Sequence, residues 1–181
     1  MNIMIASDIH GSSDCCRKMI AAFEHEKADR LLLLGDILGN GPRKKLFGKY
    51  DGDDVAGMLN KLGGRVLCVK GNCDDESSQR VLDFPIMAEY CLLYVGGRAV
   101  FASHGNKFNM RHLPPISRGD ILLHGHTHIP AWERFGKDNI YVNPGSVSSP
   151  RGGSKCSYMM MSDEAILWKY LSGEVYHVER M

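Results

Sequence analysis

Six short polar segments hold most of the residues in this chain that could do chemistry. They are Asp8-Ile9-His10-Gly11, Gly35-Asp36, Gly71-Asn72-Cys73-Asp74, His104-Gly105, Gly125-His126-Thr127-His128 and Asn143-Pro144-Gly145-Ser146. Asp8, His10, Asp36, Asn72, His104, His126 and His128 together offer carboxylate, carbonyl and imidazole donors, and no thiolate need join them. That set suits divalent Mn, Fe, Zn, Co or Ni better than a structural thiolate zinc site. Seven protein ligands are too many for one open catalytic ion. If Asp36 bridges, two ions each receive four protein ligands and still hold a shared water. Two-metal sites of this kind, with ions ~3.5–4 Å apart, suit in-line displacement at phosphorus. The alternative is that the seven are satisfied core polar residues and caps.

The elements that must position these residues are readable from apolar patterning. Met1 to Ser7, Arg30 to Leu34 and Arg65 to Val69 read as strands. The four consecutive leucines of the second fit a strand covered on both faces. Between them, Cys16, Met19, Ile20 and Phe23 share one helix face behind a Ser12 or Ser13 cap. Val55, Met58, Leu59 and Leu62 do the same over Asp53 to Leu62, with Gly63 as the stop. The later chain is strand-rich: Ala88 to Val95 and Arg98 to Ser103 around a Gly96-Gly97 turn, then Ile121 to Leu123, Ile140 to Val142, Tyr158 to Met161, Ala165 to Leu171 and Glu174 to Val178. A parallel first half and a mixed second half predict an α/β core of two mixed β-sheets flanked by helices. Each polar segment follows the C-terminal end of an apolar strand, the edge at which ligand sites collect in open α/β sheets.

Composition narrows the function classes. The 181 residues argue for one domain spanning 1–181, and 44% hydrophobic with 24% charged residues is an ordinary globular balance rather than a disordered one. No apolar run approaches the ~20 residues of a membrane-spanning helix. The net charge of +1 gives no global reason to expect a nucleic-acid or membrane partner. Six cysteines without a C-x-x-C pair, behind no export-like leader, read as reduced thiols in a cytoplasmic protein. A homo-oligomer is the usual arrangement for such a chain, and nothing selects its symmetry.

In order, D-x-H-G, G-D, G-N-x-D, H-G and G-H-x-H span residues 8 to 128. This ordered set resembles the calcineurin-like metallophosphoesterase family, and the short length, G-N-C-D and N-P-G-S-V resemble its small single-domain bacterial phosphodiesterase branch. The resemblance implies a four-layer α/β/β/α sandwich. It implies that Asp8, His10, Asp36 and His128 hold a first ion, and that Asp36, Asn72, His104 and His126 hold a second. Manganese is the expected metal, with Zn, Fe, Co or Ni as substitutes. The implied activity is hydrolysis of a small phosphodiester by a metal-bridging hydroxide, with Asn72 and His104 as catalytic residues and Asn72, Cys73 and Arg43 as substrate contacts. The alternatives are a phosphomonoesterase, a nucleotide pyrophosphatase, or a non-catalytic binding scaffold of the same fold.

The chain departs from the family where many members read G-N-H, because Cys73 takes the place of the histidine that assists the leaving oxygen. The aspartate that orients this histidine in the protein-phosphatase branch is Gly39 here, so both halves of the pair are absent together. Arg43, Lys44 and Lys45 could contact phosphate oxygens, and a solvated charge cluster is the equal alternative. His124 alternates with His126 and His128, and reads as supporting or structural. His112 reads as a surface residue, His25 and His177 as solvent-facing, and Trp132 and Trp168 as packing residues. Asp74 either orients the Asn72 loop or stabilises its own turn. Asn143 and Ser146 either buttress the site or form a tight turn.

Overall fold

The computed structural model describes residues 1–39 and 51–181. The first sheet contains β1 (Ile3–Ala6), β2 (Arg30–Leu33) and β3 (Val66–Cys68), which run parallel. The second contains β4 (Tyr90–Val95), β5 (Arg98–Ser103), β6 (Ile121–His124), β7 (Ala131–Phe135) and β8 (Asn139–Asn143). The chain then returns to the first sheet as β9 (Ser157–Met161), β10 (Ala165–Tyr170) and β11 (Val175–Arg180). Strand orders are β11-β10-β9-β1-β2-β3 and β4-β5-β6-β8-β7. Both sheets are mixed: β9 runs antiparallel to β1, and β4 and β7 run antiparallel to the parallel trio β5, β6 and β8.

The leucine run shows why the sheets face each other. Leu31 and Leu33 point to an outer core shared with Cys16, Met19 and Phe23 of helix α1 (Ser13–His25) and Val55 and Leu59 of helix α2 (Gly52–Asn60). Leu32 and Leu34 point the other way, into a core with Val100, Ala102, Ile121, Leu123 and Val142 of the second sheet. β1 divides likewise, with Met4 and Ala6 outward and Ile3 and Ile5 between the sheets. A strand buried on both faces has no polar side to alternate with, hence its continuous apolar run. Truncating one such leucine to alanine costs about 2–5 kcal/mol.

Ser12 occupies the cap position of α1, but its side chain makes no capping bond. α2 is capped by Asp51, which accepts from the Asp54 amide at 3.0 Å, slightly earlier in the chain than the apolar pattern predicts. Two elements carry no apolar signature and escape the sequence reading: helix α3 (Glu76–Val81) and the exposed strand β7. The outer face of the second sheet is covered, among the described residues, by the 104–120 segment instead of a helix. Phe108, Met110 and Ile116 pack there on Phe101, Leu122 and Tyr141. Trp168 is fully buried as expected, but Trp132 is 40% exposed and stacks on His177 at 4.0 Å. His177 is therefore a packing residue, because the indole on the neighbouring sheet needs a flat partner. Among the described residues no helix is long and apolar enough to cross a membrane.

Candidate metal centre

Parallel strands deliver their C-terminal ends to one edge of the sandwich. β1 leads to Asp8 and His10, β2 to Asp36, β3 to Asn72, β5 to His104, and β6 to His126 and His128. All seven sequence-predicted donors meet there. His10 Nε2 lies 3.5 Å from Asp8 Oδ1 and 3.4 Å from His128 Nε2, while His128 Nε2 lies 3.1 Å from Asp8 Oδ1. On the other side, His104 Nε2 lies 3.0 Å from Asn72 Oδ1 and 3.1 Å from His126 Nδ1. Asp36 Oδ2 stands between the groups, 3.8 Å from His10 Nε2 and 3.5 Å from His104 Nε2. Arg43 lies outside the described residues, as do Lys44 and Lys45.

The backbone at this edge is unusual. Asp8, His10, Asp36, His126 and His128 all have positive φ, at 59°, 49°, 53°, 65° and 62°. Side chains other than glycine rarely adopt this left-handed region, and such outliers cluster at functional sites because surrounding contacts must hold them. Those contacts are visible. Asp74 Oδ2 accepts from the amides of Asp36 at 2.7 Å and Gly71 at 2.9 Å, and its Oδ1 accepts from the Ile37 amide at 3.0 Å. Asp36 Oδ1 accepts from the Cys73 amide at 2.7 Å. The hydroxyls of Ser146 and Ser148 donate to the Asp8 carbonyl at 2.9 and 3.0 Å, and Ser7 Oγ donates to Asp8 Oδ2 at 2.6 Å. The Asn143 amide ties Gly125 and Thr127 to Tyr141. Asp74, Asn143 and Ser146 thus act beyond their own turns, whereas Ser7 and Ser148 gave no sequence signal beyond adjacency to the motifs.

The donor set fits cations. His104 Nδ1 lies 2.6 Å from the Leu34 carbonyl and His128 Nδ1 lies 2.7 Å from the Ser149 carbonyl. A carbonyl only accepts, so both Nδ1 atoms carry a hydrogen; in the neutral form that ligates a cation, each ring turns an Nε2 lone pair inward. The lone pair of His104 then faces two more acceptors, Asn72 Oδ1 and Asp36 Oδ2. That of His128 faces Asp8 Oδ1, a buried oxygen that receives no hydrogen bond. Converging acceptors repel unless a proton or a cation sits among them. Oxygen and nitrogen donors within 4.8 Å of one another form three groups here: Asp8, His10 and His128; Asp8, Asp36 and His104; and His10 and Asp36 with the Cys73 sulfur.

Ionisation follows the same arrangement. Burial opposes the charge on Asp8, but the His10 and His128 side chains outweigh it and hold the carboxyl far below its usual range. Burial favours neutral His128, yet the Asp8 carboxylate raises it. Burial and then the neighbouring His104 lower His126. Burial, reinforced by Asp36, pushes the Cys73 thiol up to about 12, so it stays protonated near neutral pH. His124 stacks on Tyr141 at 4.4 Å, is pulled down to about 4 by burial, and takes no place among the converging donors. His112 and His25 are exposed. Asn72 is exposed too, beside a recess of about 220 Å³ lined by Lys70, Glu89, Asn106 and Lys107.

Known proteins resemble this chain along most of its length. The profile of the calcineurin-like phosphoesterase superfamily domain matches residues 1–165. The phosphodiesterase YfcE of Escherichia coli strain K12 is 39% identical over 166 residues, covering 92% of this chain and 90% of YfcE. A solved structure of E. coli YfcE, described as a phosphoesterase, superposes with a TM-score of 0.93 at 36% identity over 99% of this chain and 98% of that one. Vps29 of Entamoeba histolytica, solved with Zn2+, shares the fold at 20% identity, with a TM-score of 0.63 over 100% of this chain and 98% of its own.

Proposed function

Since this chain belongs to the calcineurin-like phosphoesterase superfamily, we propose that it hydrolyses small phosphodiesters with a pair of divalent cations, manganese first among them. Asp8, His10, Asp36 and His128 would hold one ion, and Asp36, Asn72, His104 and His126 the other. The observation that carries this reading is the position of Asp36 Oδ2, between His10 Nε2 at 3.8 Å and His104 Nε2 at 3.5 Å. A single carboxylate oxygen shared by two donor groups is what a bridging ligand requires. Bound there, the cations supply Lewis-acid charge and water acidic enough to serve as a hydroxide nucleophile near neutral pH.

The chain's own groups do the rest. The exposed Asn72 turns its Oδ1 toward the His104 side as a ligand atom, which leaves Nδ2, now donating to Cys73 Sγ at 3.2 Å, as the group to donate to a non-bridging phosphoryl oxygen. The recess beside it receives one ester substituent of a diester, with Lys70 at its wall. Cys73 keeps its proton and is a weak donor, so it gives a departing alkoxide little acid help. This favours substrates whose leaving group tolerates departure as the anion. The 39% identity to a phosphodiesterase supports a diester over a monoester. The intact donor set argues against a purely structural scaffold.

The test compares bis-p-nitrophenyl phosphate with p-nitrophenyl phosphate, each with added manganese and again after chelation. Metal-dependent turnover of the diester, exceeding that of the monoester, is the expected result. A preference for the monoester overturns the substrate class, and turnover that survives chelation overturns the role of the cations.

A further inference from the structure

Cys15 stands in the first turn of α1, and Cys156 immediately precedes β9. Far apart in the chain, they meet in the fold, where each thiol is the other's hydrogen-bond partner. Both are half-buried, so the pair is in mutual contact and still within reach of a small solute. Their backbones are held in place. The Ser12 carbonyl, at the cap of α1, accepts from the Cys16 amide at 2.9 Å, and the Cys156 carbonyl accepts from the Leu171 amide at 3.1 Å. The Ser157 amide donates to the Ser146 carbonyl at 3.2 Å, and the Tyr158 hydroxyl donates to Glu26 Oε1, at the end of α1, at 2.8 Å. Helix α1 and the start of β9 are thus fastened around the thiol pair.

The two thiols are not equivalent. The Cys156 thiol donating to Cys15 holds Cys15 below the usual thiol range against the effect of burial, and the Ser12 hydroxyl and the Lys18 ammonium act in the same direction. The shared proton raises Cys156 correspondingly. The first turn of a helix also presents unpaired amides and partial positive charge, which favour a thiolate. The other cysteines lack this setting. Cys16 lies in the same turn, but it is buried in the outer core and pushed up to about 12. Burial pushes Cys91 up to about 11 and Cys68 well above the usual thiol range, and Cys73 keeps its proton as well.

We propose that Cys15 and Cys156 are a reversible oxidation site, at which Cys15 reduces a small hydroperoxide and Cys156 resolves the product as a disulfide. The Cys15 thiolate attacks one peroxide oxygen as the O–O bond breaks. The departing oxygen leaves with the bonding electron pair and takes a proton from solvent, and the Cys15 sulfur, oxidised by two electrons, is a sulfenic acid. The Cys156 sulfur then displaces that hydroxyl group, its own proton going to the departing oxygen, and the S–S bond forms as water leaves. In sum, two thiols and one hydroperoxide give a disulfide, one water, and the alcohol of the peroxide, which is a second water for hydrogen peroxide itself. A dithiol reductant reverses the change by thiol–disulfide exchange.

The crosslink joins two segments that shape the same part of the metal edge. Cys15 follows the Asp8–His10 loop by way of the Ser12 cap. Cys156 ends the segment whose Ser146 and Ser148 hydroxyls hold the Asp8 carbonyl and whose Ser149 carbonyl faces His128 Nδ1. The bond closes a loop that spans most of the chain, and long loops are those whose closure restricts the unfolded chain most. A reduced thiol set at rest agrees with this chemistry, because the disulfides that do form in reducing compartments are transient and redox-sensing. Neither cysteine is among the seven converging donors, so this site and the phosphodiester reading stand or fall separately.

The test treats the reduced full chain with hydrogen peroxide, in the presence of a chelator that suppresses metal-driven peroxide chemistry, and then counts free thiols and maps disulfides by peptide mass spectrometry. Wild type is expected to lose two thiols per chain, to yield a Cys15–Cys156 disulfide within one chain, and to recover both thiols with dithiothreitol. Cys156→Ser is expected to stop at a Cys15 sulfenic acid, captured by dimedone. Cys15→Ser is expected to lose thiols at least ~10-fold more slowly than wild type, at the rate of protonated cysteines. The wild-type map needs no variant, so it decides even if a serine variant fails to fold. Absence of a disulfide in excess peroxide, a disulfide mapped to any other pair, or oxidation of folded Cys15→Ser as fast as wild type would each overturn the assignment.

Discussion

Asp74 touches no donor side chain of the metal centre directly, yet three backbone amides from two loops end on its carboxylate. Asparagine in its place has one accepting oxygen, so at least one buried amide loses its partner. That loss costs about 1–3 kcal/mol of stability. The looser Asp36 should bind metal about 10–100-fold more weakly, as expected when an outer support of a ligand is removed. Chemical denaturation and manganese titration of chelated Asp74→Asn check both effects. Cys73 offers a second residue-scale prediction. With a weak thiol donor near the leaving oxygen, turnover should fall steeply as leaving-group pKa rises across a series of aryl diesters. Cys73→His, which places an imidazole acid there, should flatten that dependence; an unchanged slope contradicts the assignment. The seven donors were legible because their types, glycine neighbours and order form a pattern that few other sites share. Asp74 was legible only as one of two readings, because an aspartate in a turn has the same sequence whether it serves its own loop or the neighbouring one. The serines that hold Asp8 were less visible still, since they act on a carbonyl that every residue possesses.

Elements set the spacing of the site through close backbone approach. Gly71 and Asp36 meet where the loops after β3 and β2 cross. A Cβ on Gly71 would lie 2.2 Å from both the Asp36 amide nitrogen and its Oδ1. Gly71→Ala should therefore lower stability by more than the ~1–3 kcal/mol usual for overpacking and abolish turnover. Gly57, in the middle of α2, is different: a Cβ there would meet nothing within 4 Å. Gly57→Ala should instead raise stability by about 1 kcal/mol, the helix preference for alanine over glycine, with turnover unchanged. Thermal denaturation of the two variants beside wild type separates a glycine needed for contact from one that is not. Apolar patterning located β1, β2, β6 and β8 because strands buried on both faces leave uninterrupted apolar runs. It passed over β7, whose central Trp132, Glu133 and Arg134 are exposed, and α3, which buries only Ser78. Elements that bury little leave little periodicity to read.

For the whole molecule, the two parallel trios matter most. β1, β2 and β3 in one sheet and β5, β6 and β8 in the other point their C-terminal ends to the same edge, so donors separated by up to 120 residues of chain meet there. The inner core between the sheets fixes the distance between the Asp8–Asp36 side and the His104–His126 side. The motifs name the participants, and five of them carry positive φ at this shared edge. In the proposed function Asp36 joins two cation sites across this seam. The most direct measurement is calorimetric titration of manganese into chelated protein, with diester turnover followed over the same additions. Two ions bound per chain, turnover appearing as the second site fills, and loss of both from Asp36→Ala are the expected results. Binding of one ion or none, or full turnover by Asp36→Ala, would contradict a bridging Asp36.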